Sequence, residues 1–139
     1  MTSIFSKIVA GEIPCHQVAE SEDFLAFLDI QPVQTGHTLV IPKKEIDYLF
    51  DLEDADLAAL MMFAKKVAGA LIKAVPCNRI GVTVIGLEVP HAHVHLIPIN
   101  SLHDMDFTRP KKNMSQDELE KLAVHIRSYL EVKGGIIRN

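Results

Sequence analysis

The sequence predicts a single α+β domain with a largely antiparallel sheet. Two observations lead to this fold class. The β-rich segments cluster as hairpins and do not alternate strictly with helices. One long segment, residues 55–75, repeats apolar residues at spacings of three and four, as an amphipathic helix does. The 139 residues fit one domain, in which we expect a core over residues 3–100 and a C-terminal loop and helix over 101–139.

The N-terminal part of the chain is predicted to hold a short helix and three strands. Ser3 and Gly11 fit the start and the end of a helix over residues 3–10, because serine is a favoured N-cap and glycine accepts the left-handed backbone that often ends a helix. Strands are predicted where β-branched and aromatic residues are bounded by turn residues, at 16–19, 24–29 and 37–41.

The long helix is predicted over Ala55–Val75, with Asp54 as its N-cap and Pro76 after its end. Two further strands are predicted after it, at 79–85 and 94–99, the second beginning near His91.

A final helix is predicted from Ser115 onwards. Ser115 and Glu118 have the spacing of a capping box, and Gly134 and Gly135 are predicted to end the helix.

Composition excludes several classes of protein. The net charge is −4, so there is no overall basic character to attract a nucleic acid. No run of apolar residues is long enough to cross a membrane, and the N-terminus lacks the pattern of a signal peptide. The two cysteines, Cys15 and Cys77, do not form a metal or redox motif. We therefore expect a cytoplasmic protein with reduced thiols and no nucleic-acid or membrane partner.

Three of the seven histidines lie in five residues, as His91, His93 and His95. In a strand, alternate residues point to the same face, so these three side chains would line up opposite the apolar Ala92, Val94 and Leu96. Imidazole titrates near neutral pH, with a reference pKa of about 6.5, so it can act there as a nucleophile or exchange protons. The run therefore indicates catalysis, with one histidine as a nucleophile and its neighbours as groups that donate, accept and orient protons.

A metal site is the main alternative for this run, because paired histidines in a strand can bind zinc. The outer two positions are roughly 13 Å apart in an extended strand, which excludes one zinc ion bound by all three. A pair such as His91 and His93 with a distant third ligand remains open. A solvent-exposed strand with three histidines by chance is the other alternative.

Three segments, in order and with intact spacing, resemble the histidine triad (HIT) superfamily, and its bacterial Hint-like members in particular. Val89–Pro98 matches the signature of three histidines that alternate with hydrophobic residues. Asp29–Lys44 resembles an earlier block of the family, and Ile4–Pro14 resembles its opening. The resemblance covers the chain from about residue 3 to residue 100.

The resemblance implies a HIT-like fold with a five-stranded sheet and two main helices, and a homodimer. It implies hydrolysis or transfer of a nucleoside monophosphate of the AMP or GMP type, without a metal or other cofactor. His93 would attack the α-phosphorus and form a nucleotidyl-histidine intermediate, which water then cleaves. His91 and His95 would contact phosphate oxygens and help to move the proton of the leaving group. His37 matches an upstream active-site histidine.

The resemblance also implies residues that bind the nucleotide. Asp29 matches an acidic residue that holds the ribose hydroxyls, although its place before a Gln-Pro turn also fits a turn residue. Gly86 fits a close approach of the backbone to the ligand. Five apolar residues match the positions that form a pocket for the base, although each alone would also suit an ordinary core: Ile4, Phe5, Ile8, Phe27 and Ile30.

The sequence departs from the family pattern just before the triad. Leu87 and Glu88 stand where many members have a polar or amide pair that holds the phosphate and the leaving group. A carboxylate beside a phosphate repels it unless it is protonated or turned away. This departure leaves a second function open, a nucleotide-binding regulatory module with little turnover.

Overall fold

The computed structural model describes residues 2–130 and, beyond them, the backbone of two two-residue strands. In chain order the elements are α1 (Ile4–Val9), β1 (Gln17–Glu20), β2 (Phe24–Leu28), β3 (Thr38–Pro42), a 3₁₀ turn (Leu49–Asp51), α2 (Asp54–Ala74), β4 (Arg79–Thr83), β5 (Val94–Ile99), a second 3₁₀ turn (Leu102–Met105), α3 (Gln116–Arg127), β6 (Val132–Lys133) and β7 (Ile136–Ile137).

The first five strands form one antiparallel sheet in the order β1-β2-β3-β5-β4. The strands before α2 lie on one side of the sheet and the strands after it on the other, and β5 joins the two halves by pairing with both β3 and β4. His95 of β5 lies opposite Leu39 of β3 and opposite Thr83 of β4. The end of the histidine run is thus held at the centre of the sheet.

The two faces of the sheet pack against different elements. Alternate side chains of a strand point to opposite faces. Phe24, Ala26 and Leu28 of β2 therefore join the large core formed with α2 and α3, while Leu25 and Phe27 join a smaller cluster with Phe5 of α1. The second face, with its small cluster, is the one that accommodates the histidines.

The same alternation operates in β5. Val94 and Leu96 are buried in the large core, so His95 points to the opposite face, beside the small cluster. The predicted packing face of Ala92, Val94 and Leu96 is confirmed, since all three side chains are buried.

The α+β fold with its five-stranded antiparallel sheet is confirmed, and most boundaries agree with the prediction to within two residues. Two caps behave as predicted: Ser3 accepts a hydrogen bond from the Ser6 N–H, and Ser115 forms a capping box with Glu118. Gly11 adopts the expected positive φ of +80° after α1.

Three local predictions are wrong. The helix α2 begins at Asp54, and the residue before it makes no side-chain cap. The helix α3 ends at Arg127, well before Gly134 and Gly135, which lie outside the described residues. Strand β5 begins only at Val94, so His91 and His93 precede it. Within the part of the chain that is described, no helix has both the length and the apolar character to cross a membrane.

Candidate active site

Four histidines meet on the face of the sheet that bears the small cluster. Strands β3 and β5 are neighbours, with Leu39 opposite His95. His37 lies two residues before Leu39 and thus points to the same face, and its Nε2 lies 2.9 Å from Nδ1 of His95. The rings of His93 and His95 have their centroids 4.8 Å apart. The structure therefore brings together the histidines predicted from the two separate segments.

His93 has one ring nitrogen bound to the backbone and one available. Its Nδ1 lies 2.7 Å from the carbonyl oxygen of His91. A carbonyl oxygen only accepts, so Nδ1 has the hydrogen, and Nε2 keeps its lone pair while the ring is neutral. Phe5 packs edge-on against the ring, with centroids 5.0 Å apart. A fixed ring with an unprotonated Nε2 is what a nucleophilic histidine requires.

His91 has both ring nitrogens bound to the protein. Its Nε2–H donates to the carbonyl oxygen of Pro42 over 2.8 Å, and its Nδ1 accepts from the hydroxyl of Ser3, also over 2.8 Å. The residue is 0% exposed, and this burial lowers the pKa of His91 below its ordinary value. Because both ring nitrogens of His91 have protein partners, neither is available to a phosphate in this arrangement.

Glu45 fixes the serines that hold His91. Its Oε1 accepts from the backbone N–H of Ser3 and from the hydroxyl of Ser6, each over 2.6 Å. These hydrogen bonds, that of Ser3 N–H first, lower the pKa of Glu45 to about 2, so the carboxylate is ionised at neutral pH. The N-terminus of α1 is thereby bound both to the loop after β3 and to the first histidine of the run.

Hydrogen bonds also define the tautomers of His37 and His95. The N–H of Val33 donates to Nδ1 of His37 over 3.2 Å. Nε2 of His37 therefore has the hydrogen and donates to Nδ1 of His95, which leaves Nε2 of His95 with an N–H of its own. The structure thus places the ring of His95, with its Nε2–H donor, beside the ring of His93, with its Nε2 lone pair.

Burial keeps the paired histidines neutral. It is the largest cause that lowers the pKa of His37 to about 3 and that of His95 to about 4. Oδ2 of Asp29 lies 3.7 Å from Nε2 of His37, within the usual limit for an ion pair. Because His37 is uncharged at neutral pH, this contact is not an ion pair there.

Asp29 is both a turn residue and a residue of the site. Its Oδ1 accepts from the N–H of Gln31 over 2.9 Å, which forms the turn, and its other oxygen faces His37. The side chain is 24% exposed. Burial raises the pKa of Asp29, and the negative charge of Glu88 adds to that rise. One carboxylate oxygen thus remains available to a ligand.

The predicted base-binding residues divide into two groups. Phe5, Ile8 and Phe27 belong to the small cluster, and the rings of Phe5 and Phe27 meet edge-on with centroids 5.5 Å apart. Ile4 and Ile30 are instead exposed, by 49% and 60%. The structure therefore places three of the five in the small cluster, where Phe5 contacts His91 and His93, and leaves two apolar side chains open to solvent.

The loop before the triad contains Gly86, Leu87 and Glu88. Gly86 has a φ of +76°, a conformation that favours glycine. Leu87 is 88% exposed, and Glu88 is exposed but acts electrostatically on Asp29. Glu88 is therefore close enough to the site for its charge to matter there.

Sequence reasoning missed four residues of this site. Ser3 is predicted only as a helix cap, and Glu45 gives no signal in the sequence. Phe107 and Lys111 come from the polar segment after β5, which has neither periodicity nor a motif. The ring of Phe107 packs edge-on against His95 and His37, with centroid distances of 4.9 Å and 5.8 Å. Only the tertiary fold brings this segment to the histidines.

Residues 2–130 contain no group of three or more His, Cys, Asp or Glu side chains that could hold a metal ion. His91, one of the two histidines of the alternative zinc pair, has both nitrogens engaged by Ser3 and Pro42.

Comparisons with known proteins agree with the geometry. The HIT domain matches residues 10–102. The adenosine 5′-monophosphoramidase of Schizosaccharomyces pombe is 35% identical over 94% of this chain and 100% of its own length. A Hit-like protein from Bartonella henselae has a crystal structure that superposes with a TM-score of 0.81, at 34% identity, over 93% of this chain and 96% of that one. A Zn-bound histidine triad family protein from Mycobacterium smegmatis superposes with a TM-score of 0.79, at 26% identity and over 93% of each chain.

Proposed function

The chain belongs to the HIT family, and on that premise we propose that it is a nucleotide hydrolase or transferase that cleaves at the α-phosphorus of a nucleoside phosphoramidate or a related nucleotide. One observation supports this proposal above the others. The hydrogen bond from Nδ1–H of His93 to the carbonyl oxygen of His91 leaves Nε2 of His93 available as a nucleophile.

The proposed reaction has two steps. Nε2 of His93 forms a bond to the α-phosphorus, and the bond from phosphorus to the leaving group breaks. The leaving group departs with the electron pair of that bond and takes up a proton from solvent. The ring of His93 becomes positive, and its bond to the His91 carbonyl oxygen stabilises that charge. Water then attacks phosphorus, the bond from phosphorus to Nε2 breaks, and a proton of the water passes to solvent. The nucleoside monophosphate is released and His93 is restored. Splitting one difficult transfer into two easier ones is the benefit of covalent catalysis.

The other histidines have different roles in this proposal. Nε2–H of His95 donates a hydrogen bond to the phosphoryl or leaving-group oxygen or nitrogen as charge develops there. His37 holds His95 in the tautomer that has this N–H. His91 acts as a positioning residue, because its ring is bound on both sides and its carbonyl oxygen orients His93.

The nucleoside is proposed to bind between Asp29 and α1. The available oxygen of Asp29 accepts from the ribose hydroxyls. The base contacts the apolar residues Phe5, Ile8 and Phe27, together with the exposed side chains of Ile4 and Ile30. Their exposure supports this assignment, since large apolar side chains beside a site offer a base a surface to pack on. Gly86 would allow the backbone to approach the phosphate, and Glu88 would influence which leaving groups are accepted.

The protein is further proposed to be a homodimer in the cytoplasm that acts on a small nucleotide, with neither a nucleic acid nor a membrane as partner. Strand β4 lies at the edge of the sheet, where backbone groups are open to pairing, and Val82, Ile85 and Leu87 expose apolar side chains along and beyond it. A second copy of the chain would cover this edge. Measuring the molar mass in solution tests the dimer, and a monomer at all concentrations would reject it.

A binding module with little turnover is the second candidate. Its support is Glu88, which stands where many family members have an amide that holds the phosphate. The negative charge of Glu88 also acts on Asp29. Tight binding of AMP without hydrolysis would favour it. The alternative zinc protein is less well supported, because His91 already has partners on both nitrogens.

Hydrolysis of adenosine 5′-phosphoramidate tests the proposal. We expect the protein to release AMP and His93→Ala to release essentially none. His103→Ala is the matched control, because His103 is an exposed histidine outside the site. Quenching the reaction early should trap a nucleotide on the protein, and this label should be absent from His93→Ala. Equal turnover by His93→Ala, or none by the unaltered protein on any nucleotide, would reject the proposal.

A further inference from the structure

A phenylalanine and a lysine from the segment after β5 close the side of the site where His37 and His95 lie. The ring of Phe107 packs edge-on against both histidines. Nζ of Lys111 donates to the carbonyl oxygen of Phe107 over 2.5 Å and lies 5.7 Å from the centre of its ring. Lys111 and His95 thus contact the same aromatic ring.

This segment is fixed against the loop that follows Asp29. The amide of Gln34 donates to the carboxylate of Asp104, which also accepts from the backbone N–H of Asn100. At the other end, the N–H of Lys112 donates to the carbonyl oxygen of Pro32 over 2.8 Å. Because the neighbouring residue is bound in this way, the backbone of Lys111 has a defined position beside the site.

The negative charges around the histidines oppose the binding of a phosphate unless a cation lies nearby. Asp29 and Glu88 are carboxylates within electrostatic range of each other, and their charges repel an incoming phosphate. His37 and His95 are neutral, so they add no positive charge that would offset this repulsion. The charge of Lys111 acts on both Asp29 and His37. A lysine ammonium is a compact positive charge on a flexible stem, well suited to phosphate oxygens.

We propose that Lys111 binds the phosphate oxygens of the nucleotide, so that the segment from Phe107 to Lys111 forms the cationic side of the phosphate site. The inference rests on the proposed function and deepens it. The ammonium exchanges a hydrogen bond to a neutral carbonyl for one to a charged oxygen, which is the stronger of the two. Phe107 retains the lysine stem near His95 and keeps water from the paired histidines. This cation occupies a different part of the chain from the missing amide pair at Leu87 and Glu88.

Binding of AMP and of adenosine separates phosphate contacts from nucleoside contacts. The two ligands differ only in the phosphate, so the loss of a phosphate contact weakens AMP alone. For Lys111→Met we expect AMP to bind about tenfold more weakly, the effect of one charge-assisted hydrogen bond, with adenosine unchanged. Isothermal titration of the full chain measures both affinities.

Lys112→Met is the matched control. It removes the same charge from the adjacent residue, and its structural role is a backbone N–H that the substitution preserves. We expect the AMP affinity of Lys112→Met to stay within about twofold, because the side chain of Lys112 is exposed and salt screens exposed charges. Lys111→Arg should retain most of the AMP affinity, because it keeps the positive charge.

Three outcomes would overturn the inference. Lys111→Met could bind AMP as tightly as the unaltered protein does, it could lose as much affinity for adenosine as for AMP, or its AMP affinity could equal that of Lys112→Met.

Binding and turnover distinguish this inference from the proposed function. An unaltered protein that hydrolyses phosphoramidate, with AMP affinity insensitive to Lys111, rejects the inference alone. A selective loss of AMP binding in Lys111→Met, without turnover in any variant, rejects the hydrolase alone. A protein that does not bind AMP rejects both.

Discussion

The two ends of the histidine run differ in how they are held. At one end, His91 is bound through both ring nitrogens to Ser3 and Pro42. At the other end, His95 is bound through one nitrogen to His37 and keeps an N–H that has no partner among the contacts of the described residues. His93, between them, has one nitrogen bound to the backbone. Residues of the same type, spaced evenly in the sequence, therefore have different chemical capacities.

The partners of each ring decide what it can do. A histidine with two protein partners can only position its neighbours, whereas one with a single partner can bind or react with a substrate. We therefore expect substitutions at the His95 end to affect chemistry and substitutions at the His91 end to affect stability first.

The largest expected effect is on catalysis by His95→Ala. This change removes the N–H beside the proposed nucleophile, and we expect kcat to fall by about 10²-fold to 10⁴-fold, the usual range for a group that assists a leaving group. The loss should grow as the leaving group becomes poorer, because a poor leaving group depends more on hydrogen bonding. Steady-state rates with a series of substituted anilide or phenolate leaving groups measure this dependence.

An equal loss of rate for good and poor leaving groups in His95→Ala would contradict the proposed difference between the two ends of the histidine run. It would make His95 a positioning residue like His91, and the two ends of the run would then have the same role.

The next effect is on the stability of His91→Ala. The residue is 0% exposed, and its removal leaves a cavity, takes away the acceptor of the Ser3 hydroxyl hydrogen and takes away the ring donor to the Pro42 carbonyl. We expect the free energy of unfolding to fall by about 3 kcal/mol, the sum expected for a buried void and an unpaired polar group. Urea denaturation followed by circular dichroism gives this value. A loss no greater than that of His95→Ala would contradict the assignment of His91 as the structural end.

The pH dependence of stability also distinguishes the histidines. Burial lowers the pKa of His95 to about 4, while the ring in the unfolded chain keeps an ordinary pKa of 6.5. Between these values the unfolded state binds a proton that the folded state does not, so stability falls as pH decreases. The contribution of His95 is fully present above the unfolded pKa and is lost progressively towards pH 4.

For this ring we expect a loss of about 2 kcal/mol between pH 7 and pH 5. His95→Gln, whose side-chain amide keeps an N–H donor but does not titrate, should lack that share of the pH dependence. Identical pH profiles for His95→Gln and the unaltered protein would show that the ring is not held neutral by burial.

The sequence was sufficient for the fold class and for the histidines, and insufficient for what surrounds them. Alternation in β5 predicted the packing of Val94 and Leu96, because a strand with one face in the core must alternate. It could not show that β5 starts only at Val94, nor that His91 turns into the protein towards Ser3.

Contacts between distant segments explain the remainder. Phe107 lies beside His37 only because the chain after β5 returns over the loop that follows Asp29, where Lys112 binds Pro32. No local pattern encodes such a return. Glu45 likewise has no motif, and its importance comes from two hydrogen bonds to residues about forty positions earlier in the chain.

The smallest expected effect tests whether Ser3 does more than cap a helix. Ser3 and Ser115 are both N-caps that accept from a backbone N–H, but only Ser3 also donates to a histidine of the site. Replacing either serine by alanine should lower the free energy of unfolding by about 1 kcal/mol, the usual cost of a lost cap. Ser3→Ala should also lower kcat, by about threefold to tenfold, because His91 loses the partner of Nδ1 and His93 loses part of its support. Ser3→Thr, which keeps the hydroxyl, should restore the rate, and Ser115→Ala should show no change in kcat. Equal kcat values for Ser3→Ala and Ser115→Ala at matched stability would limit the role of Ser3 to capping α1. The hydrogen bond from Ser3 to His91 would then have no influence on the proposed nucleophile, His93.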